Sequence, residues 1–82
     1  MKNCPFITTL SLPNNELRDS SISYLCQFSF KFLAVLDLSQ NKLTSNSAQS
    51  LSKCSWKHLK SFSISKNKLG NKGITYLTKA EW

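Results

Sequence analysis

The residues of this chain with chemistry to offer are few and scattered. There are three cysteines, Cys4, Cys26 and Cys54, with no C-x-x-C pair among them. An odd count at such spacing predicts neither a disulfide framework nor a zinc site. No cysteine is expected beside a second one that could resolve a disulfide, and reduced thiols point to a cytosolic type of compartment. His58 is the single histidine, too little for a metal set or for a Cys–His–acid triad. The carboxylates Glu16, Asp19, Asp37 and Glu81 never pair at a spacing suited to acid–base work. Nor does the chain carry a Gly-rich phosphate loop, a nucleophile elbow or an H-E-x-x-H run. No catalytic residue, cofactor or metal is expected, and the chain is read as non-enzymatic.

Charge is the other chemical resource. The net charge is +7 over 82 residues, and it is uneven. Lys2, Arg18 and Lys31 balance Glu16, Asp19 and Asp37 in the first half, whereas the second half sets eight lysines against Glu81 alone. Such a half could bind nucleic acid or an anionic membrane electrostatically. A single arginine argues against this alternative, because Arg is the better fork for phosphate and base edges. A solvated lysine surface is the favoured reading. No run approaches the roughly 20 apolar residues of a membrane helix, and the start lacks a signal-like apolar stretch. A cytoplasmic chain is therefore expected.

The elements that position these residues come from a repeat. ITTLSLPNNEL, LAVLDLSQNKL and LKSFSISKNKL begin at residues 7, 33 and 59. Written in columns they align Ile7/Leu33/Leu59, Leu10/Leu36/Phe62, Leu12/Leu38/Ile64, Asn15/Asn41/Asn67 and Leu17/Leu43/Leu69. The period of two puts Leu10, Leu12 and their equivalents on one face of a short strand, with Ser11, Asp37 and Ser63 on the other. The Asn column follows the strand, where its amide satisfies backbone groups of the turn and bonds to the next Asn. Asn41 is thus an inside residue, whereas Ser39 faces solvent. Ile22/Ala48/Ile74 and Leu25/Leu51/Leu77 follow at helical spacing. Helices are expected to start after Asp19 or Ser20, after Ser45 and after Asn71, all good capping types. Tyr24, Ser50 and Tyr76 share a partly exposed helical column. Phe30, Trp56 and Trp82 form an aromatic core column, and Cys54, in the column of Phe28 and Ala80, is expected to be a small buried apolar residue. Cys26 should be half exposed, and Cys4 should lie in a frayed start.

These columns spell L-x-x-L-x-L-x-x-N-x-L, which resembles the leucine-rich repeat. With 26 residues per unit and a helix-length stretch opposite each strand, the chain is similar to the ribonuclease-inhibitor-like or bacterial intracellular class. The stretch Asn67–Ile74 carries an Asn-x-Leu-Gly-x-x-Gly-apolar pattern that resembles repeats of intracellular receptors and effector-like proteins; the first two units lack both glycines. The resemblance implies an α/β solenoid, a horseshoe segment of three units (about 7–32, 33–58 and 59–82) in one domain. A parallel sheet would line its concave side and helices its convex side.

The resemblance also implies that strand side chains on the concave face meet a protein partner. By column these include Thr9, Ser11, Val35, Asp37, Gln40, Lys42, Ser61, Ser63, Lys66 and Lys68, a polar and varied set beside uniform core columns. The partner's identity is open. The pattern further predicts a segment of a longer array, with Phe62, Ile64, Leu69 and Leu77 left uncovered by a following unit. Open edges and absent caps would favour self-association.

Overall fold

The computed structural model describes residues 2–82. Among the described residues five short strands and three helices follow one another in the order β1 (Lys2–Asn3), β2 (Thr9–Ser11), α1 (Asp19–Leu25), β3 (Phe28–Ser29), β4 (Val35–Asp37), α2 (Ser45–Ser52), β5 (Ser61–Ser63) and α3 (Gly70–Thr78). Strands β2, β4 and β5 form a parallel sheet in that order. Its register pairs Thr9 with Val35 and Val35 with Ser61, then Leu10, Leu36 and Phe62, then Ser11, Asp37 and Ser63. The pairing continues beyond the strands. Leu12 N–H donates to Asp37 O and Leu38 N–H to Ser63 O, each at 2.8 Å, and Lys42 and Lys68 donate to Leu17 O and Leu43 O. A second parallel pair, β1 with β3, has no counterpart in the sequence reading. It ties down Cys4, whose N–H donates to Ser29 O at 2.8 Å. Cys4 is half-buried against the core and not frayed as expected.

Parallel neighbours bury a column in proportion to the cover on each side of it. Leu36, Leu38, Leu43 and Leu51 are fully buried, together with Ile22, Leu33 and Ala48, and Phe30 and Trp56 are buried beside them. Their column mates Leu10, Leu12, Leu17, Phe62, Ile64 and Leu77 are only partly buried. Fully burying a leucine stabilises by about 1.5–3 kcal/mol, so the middle stretch supplies most of the hydrophobic energy. Phe62 is better covered than expected because the Trp82 ring stands edge-on to it at 5.0 Å. Leu69 was expected to be uncovered too, yet it is buried. A Cβ on Gly73 would come within 2.8 Å of Leu69 Cβ and 3.3 Å of Ser45 Cα, so the missing side chain lets α3 close onto both.

Helix starts fall one or two residues earlier than the sequence suggests. Thr44, not Ser45, caps α2: its Oγ1 accepts from Asn46 N–H at 3.3 Å. Arg18 precedes α1, its N–H donating to Ser21 Oγ. Asp19 is drawn away from capping its own helix by α2. Its carboxylate accepts from Thr44 N–H at 3.0 Å and from the Thr44 and Ser47 hydroxyls at 2.5 Å. Anionic acceptors at a helix N-terminus are stabilising, and here the anion comes from the neighbouring helix. In α3, Gly70 at φ +66° makes the bend, and the helix begins there rather than after Asn71.

Candidate functional site

The strand and turn residues nominated from sequence come together in ordered rows. Thr9, Val35 and Ser61 form one row of the sheet; Ser11, Asp37 and Ser63 form the next. Thr9, Ser11 and Ser61 are exposed, whereas Val35, Asp37 and Ser63 are half-buried. Gln40, Lys42, Lys66 and Lys68 are exposed in the turns that follow. None of the ten sinks into the core, because their neighbours at alternate positions point there instead.

The turn backbone is costly. Asn14, Gln40 and Lys66 share one column and all adopt φ between 54° and 57°, and Glu16 also has φ 55°. Left-handed backbone costs roughly 1–2 kcal/mol at a residue with a Cβ. The asparagine ladder holds it. Asn41 Oδ1 accepts from the N–H groups of Asn15 and Leu17 at 2.9 and 3.0 Å, and its Nδ2 donates to Leu12 O, Leu38 O and Ser39 O. Asn67 does the same one strand on, accepting from Asn41 N–H and Leu43 N–H and donating to Leu38 O, Ile64 O and Ser65 O. The expected bond from each Asn to the next is therefore made to its backbone N–H.

Two charged features stand out on this face. Asp37 Oδ1 accepts from Ser39 Oγ at 2.7 Å and from Ser39 N–H at 3.0 Å. These two bonds hold the Asp37 carboxyl below its usual range. They also make Ser39 half-buried and engaged rather than free in solvent as expected. Lys42 Nζ lies 3.6 Å from Glu16 Oε1 between exposed side chains, a pair of small energetic weight. Part of the lysine charge is therefore already answered within the chain.

One row of the surface escaped sequence reasoning. Phe6, Phe32 and His58 are all exposed ahead of the strands, and the Phe32 and His58 rings lie 5.4 Å apart. Lys31 Nζ sits 5.5 Å from the Phe32 ring centre. The signal was present: the three positions keep the spacing of the repeat.

The cysteines depart most from expectation. Cys54 Sγ lies 3.3 Å from Cys26 Sγ, with Ser50 O a second acceptor at 3.7 Å. Both sulfurs are half-buried and border a cleft of about 400 Å³ that Phe28, Lys53 and Trp56 also line. The columns place Cys26 beside Ser52. It is Cys54, two residues beyond Ser52, whose sulfur meets Cys26 at the C-terminal end of α1. Cys54 is thus neither fully buried nor isolated. Its S–H donates to Cys26 Sγ, which lowers the Cys26 thiol below its usual range although burial opposes this. The same hydrogen bond, burial and the negative Cys26 thiolate all push Cys54 up.

Two family models match the chain. Both are described as leucine-rich repeats, one over residues 32–54 and the other over residues 57–77. The chain contains leucine-rich repeats. Such repeats are generally protein-interaction modules, and the family is generally non-enzymatic. Comparison with curated proteins and with solved structures finds no match. The matched leucine-rich segments contain Leu36, Leu38, Asn41 and Leu43 in one case and Ile64, Asn67 and Leu69 in the other, the same side chains that build the core and the ladder. Among the described residues no group of three or more His, Cys, Asp or Glu gathers as metal ligands, and no helix is long and apolar enough to cross a membrane.

Proposed function

We propose that the chain is a non-enzymatic module for protein–protein recognition. It is read as one leucine-rich-repeat domain of three 26-residue units, a ribonuclease-inhibitor-like solenoid that presents its sheet face as the concave side. The observation that carries this reading is the row structure of the sheet. Thr9–Val35–Ser61 and Ser11–Asp37–Ser63 present varied small, apolar and anionic groups, on a backbone whose turns are held by the Asn ladder. Varied side chains on a stiff frame suit recognition, since little is lost in ordering them on binding. The residues placed at the contact are Thr9, Ser11, Val35, Asp37, Gln40, Lys42, Ser61, Ser63, Lys66 and Lys68.

The test compares two arginine substitutions in cross-linking from cells that express the chain. Ser63→Arg stands on the sheet face; Asn46→Arg stands at an exposed position of α2. The proposal expects a protein cross-linked to the unmodified chain to be lost with Ser63→Arg and kept with Asn46→Arg. Equal loss in both would refute use of the sheet face. Binding to duplex DNA should be weak, with a shallow salt dependence. Tight DNA binding that collapses when Lys42, Lys66 and Lys68 are neutralised together, with a log–log salt slope near −0.9 per phosphate contacted, would replace this reading with the electrostatic one.

A further inference from the structure

We propose that Cys26 and Cys54 are an oxidation site: a hydroperoxide converts them to a reversible disulfide, with Cys26 as the attacking sulfur and Cys54 as the resolving one. Three observations meet there. The sulfurs are 3.3 Å apart, so a bond near 2.05 Å needs only about 1.3 Å of approach. Both side chains are half-buried and border a cleft that runs to Lys53 on the surface, which gives a small oxidant access. Both lie just past helix ends: Cys26 is the C-cap of α1, and Cys54 follows Lys53, the C-cap of α2. Neither sulfur must leave the middle of a helix to reach the other.

The order of events follows from the hydrogen bond. Cys54 S–H donates to Cys26, so Cys26 is the sulfur favoured as thiolate, and the thiolate is the nucleophile. Cys26 sulfur attacks the terminal peroxide oxygen; the O–O bond breaks, alkoxide (hydroxide from hydrogen peroxide) leaves and takes up the proton that Cys26 gave to solvent, and Cys26 becomes a sulfenic acid. The negative charge that held the Cys54 proton is then gone. Cys54 sulfur attacks Cys26 sulfur, the S–O bond breaks, and the departing hydroxide takes the Cys54 proton as water. In sum two thiols and one hydroperoxide give one disulfide, one water and one alcohol (a second water for hydrogen peroxide). The pair loses two electrons and the peroxide gains them. A dithiol reductant reverses it. The product staples the end of α1 to the end of α2 beside Trp56, which lines the same cleft.

The experiment treats the reduced full chain with one equivalent of hydrogen peroxide, then alkylates it and maps the peptides. The expected result is a monomer lighter by two hydrogens, a Cys26–Cys54 bridge and an alkylated Cys4. Dithiothreitol should restore all three thiols. Oxidised chain should melt roughly 10 °C or more above reduced chain, as a bridge closing a loop of this length should give. With a sulfenic-acid trap, Cys54→Ser should be labelled at Cys26, and Cys26→Ser should label far more slowly at Cys54. A bridge to Cys4, a sulfinic acid on Cys26 with Cys54 untouched, or survival of all three thiols would overturn the site. Equal labelling rates in the two variants would overturn the assigned roles. The mapping of the unmodified chain needs no variant to fold.

Discussion

Asn41→Ala tests the ladder at its most connected point. The side chain makes five hydrogen bonds, but the loss is smaller than five separate bonds would suggest. Leu38 O keeps Asn67 Nδ2 at 2.9 Å, and Ser39 O keeps Asn14 N–H at 3.0 Å. The loss falls on Asn15 N–H, Leu17 N–H and Leu12 O. Asn15 is exposed, so water replaces its partner, whereas Leu12 and Leu17 are half-buried. At ~1–3 kcal/mol for each poorly solvated group, the cost is about 3 kcal/mol. For a domain of this size that lowers Tm by roughly 10–25 °C. Asn15 stands in the same column, yet among the described residues its side chain makes one bond, to Pro13 O. Asn15→Ala should cost only about 0.5 kcal/mol. Asn67→Ala should fall between the two, and Ser39→Ala should lie near Asn15→Ala. Thermal and urea unfolding followed by circular dichroism would measure the series. Equal losses for Asn15→Ala and Asn41→Ala would show that the ladder does not carry the turn.

Three further outcomes follow from local geometry. Gly73→Ala gains about 1 kcal/mol of helix propensity but sets a Cβ 2.8 Å from Leu69 Cβ; urea unfolding should show a net loss of about 1–2 kcal/mol. Lys66→Gly relieves a left-handed residue at φ 57° and should raise stability by about 0.5–1 kcal/mol in the same assay, after the entropy lost by glycine. Burial raises the Asp19 carboxyl, but the Ser47 and Thr44 hydrogen bonds outweigh it and hold it below its usual range. Its contribution is therefore complete above the unfolded carboxylate value of about 3.9 and is lost as pH falls through the lower folded value. Thermal melts taken from neutral to acid pH should show Asp19→Asn with a flatter acid limb than the unmodified chain.

The parallel pairing of β2, β4 and β5, the face on which Leu36 and Leu38 lie and the inside position of Asn41 were all legible in the sequence. They depend on what stacks next to what, and equal spacing of like residues announces that directly. That Thr9, Ser11, Val35, Asp37, Ser61 and Ser63 share one face was legible for the same reason: alternation along a strand assigns each side chain to one face. Burial along a column was not, because Leu36 and Phe62 are the same position in the pattern and differ only in how much structure covers them. The helix starts depended on a contact between helices, in which Asp19 serves Thr44 and Ser47 rather than its own first turn. The thiol pair lay deepest. Columns match residues at one offset, whereas Cys26 and Cys54 meet across two different columns at the ends of neighbouring helices. Only the path of the chain through space brings those sulfurs within 3.3 Å.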